Sequence, residues 1–97
     1  MKQTYRFIIS GKVQGVGYRR FVQKFCLNKN YEGWVRNLDD GSVETLIVAE
    51  DAEFKEIEVQ LKKGPIFSKV VEIQKTKMEN SNELVAAFEI RKDGLKI

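Results

Sequence analysis

Three glycines and two arginines crowd the stretch GKVQGVGYRR at residues 11–20: Gly11, Gly15 and Gly17, then Arg19 and Arg20. Residues of these types, in this order, suit the holding of an anion. Glycines let the backbone curl until successive N–H groups point inward, and a guanidinium can close such a cup with forked donors. Neither familiar phosphate-loop spacing is met. Counted from Gly11, a Walker A loop needs glycine where Val16 stands, and a dinucleotide loop begun at Gly15 needs glycine where Arg20 stands. From residue chemistry alone, a phosphate cradle and a plain glycine turn with two solvated arginines stand level.

The rest of the composition narrows the chemistry. The 97-residue chain has no histidine and a single cysteine, Cys26. Histidine acid/base catalysis, a phosphohistidine and a histidine-ligated metal are therefore excluded. A cysteine phosphatase loop needs arginine six positions after the thiol, where Glu32 stands. Cys26 reads as a small core residue, and one thiol fits a reducing compartment. Asp39 and Asp40 read as turn residues. No carboxylate cluster suggests a metal, so neither metal nor cofactor is expected.

The elements that would position the loop follow from periodicity. TYRFIIS at 4–10 alternates Tyr5, Phe7 and Ile9 on one face, a strand running into the glycines. Tyr18, Phe21, Val22, Phe25 and Cys26 then recur at helical spacing. The loop thus opens onto a helix N-terminus, whose orphan N–H groups and dipole favour an anion. At 100° per residue, Arg20 lies nearly opposite the apolar stripe while Arg19 lies at its flank. Arg19 can fold over the loop; Arg20 points to solvent.

EGWVRNL and SVETLIVAE flank DDG as a hairpin, and alternation puts Asn37 with Val35 and Trp34 with Arg36. Trp34 reads as packing. Glu50 or Asp51 is placed to cap a second helix bearing Phe54, Ile57 and Leu61, which Gly64 and Pro65 end. KVVEIQKTKM and LVAAFEIRK read as two last strands around the turn ENSNE.

The order β-α-β-β-α-β predicts an α+β, ferredoxin-like sandwich: an antiparallel sheet with two helices on one face, and a fifth strand if the last β run divides. Residues 1–97 form one domain at this length. The net charge of +3 favours small anions mildly and does not argue for nucleic acid. Neither a signal peptide nor a membrane-spanning run is legible, so a cytoplasmic monomer is expected.

ISGKVQGVGYR at 9–19 and GWVRNLDDGSVE at 33–44 carry a resemblance. Together with GPIFSKVVEI and the later FEIRK, they make the chain resemble an acylphosphatase along its whole length. Such enzymes are ferredoxin-like and cleave carboxyl–phosphate anhydrides. The resemblance implies that Arg19 binds the phosphoryl group, and that the backbone of Gly15, Val16, Gly17, Tyr18 and Arg19 forms the cradle. It further implies that Asn37 positions the attacking water and that Gln14 shapes the loop. Inorganic phosphate or sulfate would occupy the same cradle.

The chemistry agrees with the missing histidines. A carboxylate leaves without needing a proton, so phosphoryl transfer is left to positioning and charge stabilisation. Departures from the family pattern are Tyr18 for phenylalanine or methionine, Gly17 for a bulkier residue, Ala49 for glycine and Ile66 for a second proline. Tyr18 brings a hydroxyl that needs a partner if buried.

Two rival readings stand beside this one. The carbamoyl-phosphate-handling head domain of hydrogenase-maturation carbamoyltransferases shares the motif, although the chain's end at Ile97 favours a stand-alone enzyme. A ferredoxin-like RNA-binding module would display sheet aromatics within a basic–glycine–aromatic signature, which no segment here matches.

Overall fold

A computed structural model describes residues 1–79 and 87–95. The sheet comprises β1 (Lys2–Lys12), β2 (Glu32–Asn37), β3 (Val43–Glu50), β4 (Lys69–Lys77) and β5 (Glu89–Ile90). The helices are α1 (Tyr18–Asn28) and α2 (Phe54–Lys63), the latter preceded by a short 3-10 turn, Asp51–Glu53.

Alternation along β1 sets the two faces. Its register with β3 pairs Tyr5 with Ile47, Phe7 with Thr45 and Ile9 with Val43. Phe7, Ile9, Val43, Thr45 and Ile47 are fully buried on that face. Tyr18, Val22 and Cys26 of α1 close over it, as do Phe54, Ile57 and Leu61 of α2, in one shared core. Each such large apolar side chain contributes about 1.5–3 kcal/mol on burial. The helical spacing read from the sequence thus marks the faces that meet the sheet.

The strand order is β4-β1-β3-β2-β5. Neighbours among the first four strands pair antiparallel, as expected, whereas β5 joins parallel to β2, with Val35 opposite Ile90. The fifth strand therefore exists and makes the sheet mixed. β4 and β5 also lie on opposite edges, not side by side; the turn ENSNE beyond Glu79 and most of the run before Phe88 lie outside the described residues.

Helix ends follow local chemistry. Asn30 adopts φ 60 just past α1, with Tyr31 N–H donating to Cys26 O at 2.9 Å and Asn30 N–H to Leu27 O at 3.1 Å. That pair of bonds is the αL closure that asparagine tolerates. The start of α2 differs from expectation. Neither Glu50 nor Asp51 caps it through a side chain; the 3-10 turn intervenes, and the Glu50 carboxylate instead accepts from the Met1 ammonium at 2.7 Å.

Candidate active site

β1 leaves the sheet into the glycine loop, which turns directly into α1. Gly15 and Gly17 hold φ of 74 and 82, and Gly17 is the N-cap of α1 with no side-chain cap bond. Phe21 is the first residue of this helix to bond back, its N–H meeting Gly17 O at 3.0 Å. The N–H groups of residues 18–20 have no acceptor within the helix. The first turn carries no acidic residue, while Arg19 and Arg20 place two positive charges there. That arrangement opposes the helix dipole by roughly 0.3–1 kcal/mol per charge. An anion in the loop would reverse the sign of that cost.

Val16 packs against the core, and the Tyr18 ring is buried in it. The Tyr18 hydroxyl finds the partner it requires: it donates to Leu61 O at 2.6 Å. Burial pushes its pKa well above the usual phenol value, so it stays protonated. Arg19 is half-buried and Arg20 exposed, matching the helix-wheel argument. Both line an open cavity of about 320 Å³, together with Val13, Gly15, Gly17, Tyr18 and Ile90. A larger hollow, about 450 Å³, lies beside Tyr5, Phe54 and Lys75. There the Lys75 ammonium is taken up by Glu58 at 2.6 Å, and no glycine loop lines it.

Asn37 ends β2. It sits opposite Val43, which in turn pairs with Ile9, so Asn37 shares the helix-covered face near the point where β1 gives way to the loop. The residue is 9% exposed, and its side-chain Oδ1 is buried without a hydrogen-bond partner. An unmet buried acceptor costs about 1–3 kcal/mol, so it marks a place where a water or ligand atom is wanted. Gln14 ties loop to hairpin: its Nε2 donates to Leu38 O at 2.8 Å and to Ser42 O at 2.9 Å. Asp40 closes the same hairpin turn by accepting from the Ser42 N–H at 2.9 Å and from its Oγ at 2.5 Å. The two aspartates are thus hairpin residues, and Gln14 fixes the glycine loop against the residue that follows Asn37.

Sequence reasoning missed the tail. Beyond β5, Arg91 N–H donates to Val35 O and Gly94 N–H to Asn37 O, each at 2.8 Å, while Asp39 N–H donates to Gly94 O at 3.0 Å. Asp93 approaches the cavity, its Oδ1 lying 3.5 Å from Arg19 Nη1. Behind the tail, on the face without helices, Glu44 accepts from Arg6 Nε at 2.5 Å and Arg36 Nε at 2.6 Å. Arg36 and Arg91 also cover the Trp34 ring, at 5.2 and 4.9 Å from its centroid. The tryptophan is packing, roofed by guanidinium groups. The only available signal for the tail was its Asp-Gly pair, a turn signature that says nothing about where the turn docks.

Cys26 is buried in the core, and burial pushes its thiol up to about 12. Among the described residues no three His, Cys, Asp or Glu side chains gather as a metal-binding group. Among the described residues, no helix is long and apolar enough to cross a membrane.

The acylphosphatase family model matches residues 5–90. An acylphosphatase of Bacillus pumilus is 46% identical over 70 residues, covering 72% of this chain and 78% of its own. The crystal structure of the acylphosphatase of Bacillus subtilis superposes with a TM-score of 0.84 at 40% identity, covering 94% of this chain and 99% of that one. Full-length HypF, in a phosphate- and nucleotide-bound form, contains a similar unit. It gives a TM-score of 0.86 at 27% identity, over 98% of this chain and 12% of that one.

Proposed function

Because the chain belongs to the acylphosphatase family, and so hydrolyses acyl phosphates to carboxylate and inorganic phosphate, we propose how its residues divide that work. Arg19 and the backbone N–H groups of residues 15–19 hold the phosphoryl oxygens. Asn37 directs a water at phosphorus in line with the carboxylate that leaves. Val16 and Tyr18 contribute backbone to the cradle and anchor it through their side chains. Arg20 stays outside the cradle.

The observation that carries this reading is the Asn37 amide oxygen, buried and unpartnered at the end of β2. An amide oxygen accepts a hydrogen bond from water but is too weak a base to deprotonate it. Its contribution is therefore orientation. Acyl phosphates permit this, since the leaving carboxylate needs no general acid and the transition state needs charge stabilisation above all. The cradle supplies that with preorganised N–H groups and one guanidinium. No step asks for a metal.

Benzoyl phosphate, followed by ultraviolet absorbance, tests the reading with Arg19→Ala and Asn37→Ala beside the wild type. Turnover that survives both substitutions in folded protein overturns it. We also propose that inorganic phosphate or sulfate occupies the cradle, and that the protein acts in the cytoplasm as a monomer, for which sedimentation equilibrium is the check. The likeness to HypF supports a second reading, in which the same cradle handles carbamoyl phosphate within a larger assembly. Comparing turnover of carbamoyl and benzoyl phosphate separates the two.

A further inference from the structure

Arg19 is not left without a counter-charge. We propose that Asp93 is its resting counter-ion, a positioning residue that competes with the phosphoryl group of substrate and product. The inference rests on Arg19 being the phosphate anchor.

The tail is built to present this carboxylate. β5 pairs Val35 with Ile90, and further on Leu38 pairs with Gly94. Between these points β2 advances by three residues and the tail by four, so the tail carries a bulge. A bulge re-aims the side chains beyond it. Ile90 faces the cavity on the helix side, yet Gly94, an even number of residues on, faces Arg36 on the other. Asp93 is thereby turned to the helix side, where Arg19 stands.

The tail is also fixed at Gly94. A Cβ there would meet the Arg36 guanidinium at 2.6–2.8 Å, and that guanidinium is itself held by the buried carboxylate of Glu44. With Gly94 bonded on both sides, to Asn37 O and Asp39 N–H, the backbone at Asp93 has little freedom. Its side chain moves alone. The contact is an ion pair at 3.5 Å, longer than a charge-assisted hydrogen bond, and the two side chains are 38% and 69% exposed. Such a pair keeps the guanidinium over the loop and yields readily to an anion of higher charge.

Two consequences share one sign. Asp93 must be displaced for Arg19 to grip phosphate, and its charge then repels the bound dianion. Removing that charge should therefore tighten phosphate binding, by about two- to fivefold at low salt given exposed-pair strengths. The same competition helps inorganic phosphate depart after hydrolysis.

The test is inorganic phosphate itself, titrated calorimetrically and as a competitive inhibitor of benzoyl phosphate hydrolysis. The variants are Asp93→Asn, Asp93→Glu, Arg19→Ala and the double variant Arg19→Ala/Asp93→Asn. Asp93→Asn should lower the phosphate Kd and the KM by similar factors, more than it alters kcat, and the gain should shrink at high salt. Asp93→Glu should restore wild-type affinity, and the Asn effect should vanish on the Arg19→Ala background. If Asp93→Asn binds phosphate no more tightly than wild type while Arg19→Ala has lost it, the counter-ion role is overturned and the cradle stands. If Arg19→Ala binds phosphate as wild type does, the cradle reading fails and takes this inference with it.

Discussion

The hydroxyl of Tyr18, the first residue of α1, donates to the carbonyl of Leu61 in the last turn of α2 at 2.6 Å. The last four carbonyls of a helix lack intrahelical donors, so this bond satisfies one of them and binds the two helices beneath the glycine loop. Tyr18→Phe leaves that buried carbonyl unmet. We expect a loss of about 1–2 kcal/mol, seen as a fall in Tm of roughly 4–16 °C by calorimetry. The loop loses its floor without losing a donor, so turnover should fall far less than on loss of Arg19.

Activity and stability should separate at Asn37. Its amide oxygen has no partner to lose, so Asn37→Ala should change unfolding free energy by no more than about 1 kcal/mol in urea titrations, despite the residue's burial. Its kcat should drop by about two to three orders of magnitude, and that of Arg19→Ala by about three or more. Arg20→Ala should keep kcat/KM for benzoyl phosphate within about threefold, since an exposed charge offers only weak attraction.

Much of this arrangement was legible in the chain because its signals are local. Glycine spacing marks the loop, the helical period separates Arg19 from Arg20, and alternation puts Asn37 on the face toward the loop. What stayed hidden depends on distant partners. β5 is two residues long and pairs across the sheet edge, which no period can announce. Glu50 looked like a helix cap but is drawn to the chain's own ammonium, a longer-range attraction than capping chemistry describes. Asp93 and Gly94 gave only a turn signature, whereas their position follows from a bulge and from the Arg36–Glu44 pair behind them.

Gly94→Ala should expose that dependence. The methyl group displaces the Arg36 guanidinium, leaving the Glu44 carboxylate with one partner where it had two. A cost of about 1–3 kcal/mol in thermal unfolding is expected. If the variant is as stable as wild type, Arg36 is not fixed as described.

The pH response should differ between turnover and folding. No group of the proposed mechanism titrates near neutrality, so kcat should be flat from about pH 6 to 8, and a chelator should leave it unchanged. A bell with an enzyme pKa near 6.5 would overturn the mechanism. Stability should fall in alkali. Burial raises the Cys26 thiol from 9.0 to about 12, so between these values the unfolded chain releases a proton that the native state keeps. Stability is complete below pH 9 and declines above it by about 1.4 kcal/mol per pH unit, until the native thiol ionises. Urea titrations from pH 7 to 11 should show this slope in wild type and a shallower one in Cys26→Ala.

The loop's two αL glycines constrain something other than space. A Cβ at Gly15 or Gly17 would meet nothing within 4 Å, yet φ at 74 and 82 disfavours any L-residue. The requirement is one of handedness. A D-alanine at either position would find those angles in its own preferred basin, with its methyl in open space. Two backbone positions of the loop thus sit in the mirror-image half of conformational space, and a semisynthetic protein carrying D-alanine at both would have its cup shaped before any substrate arrives.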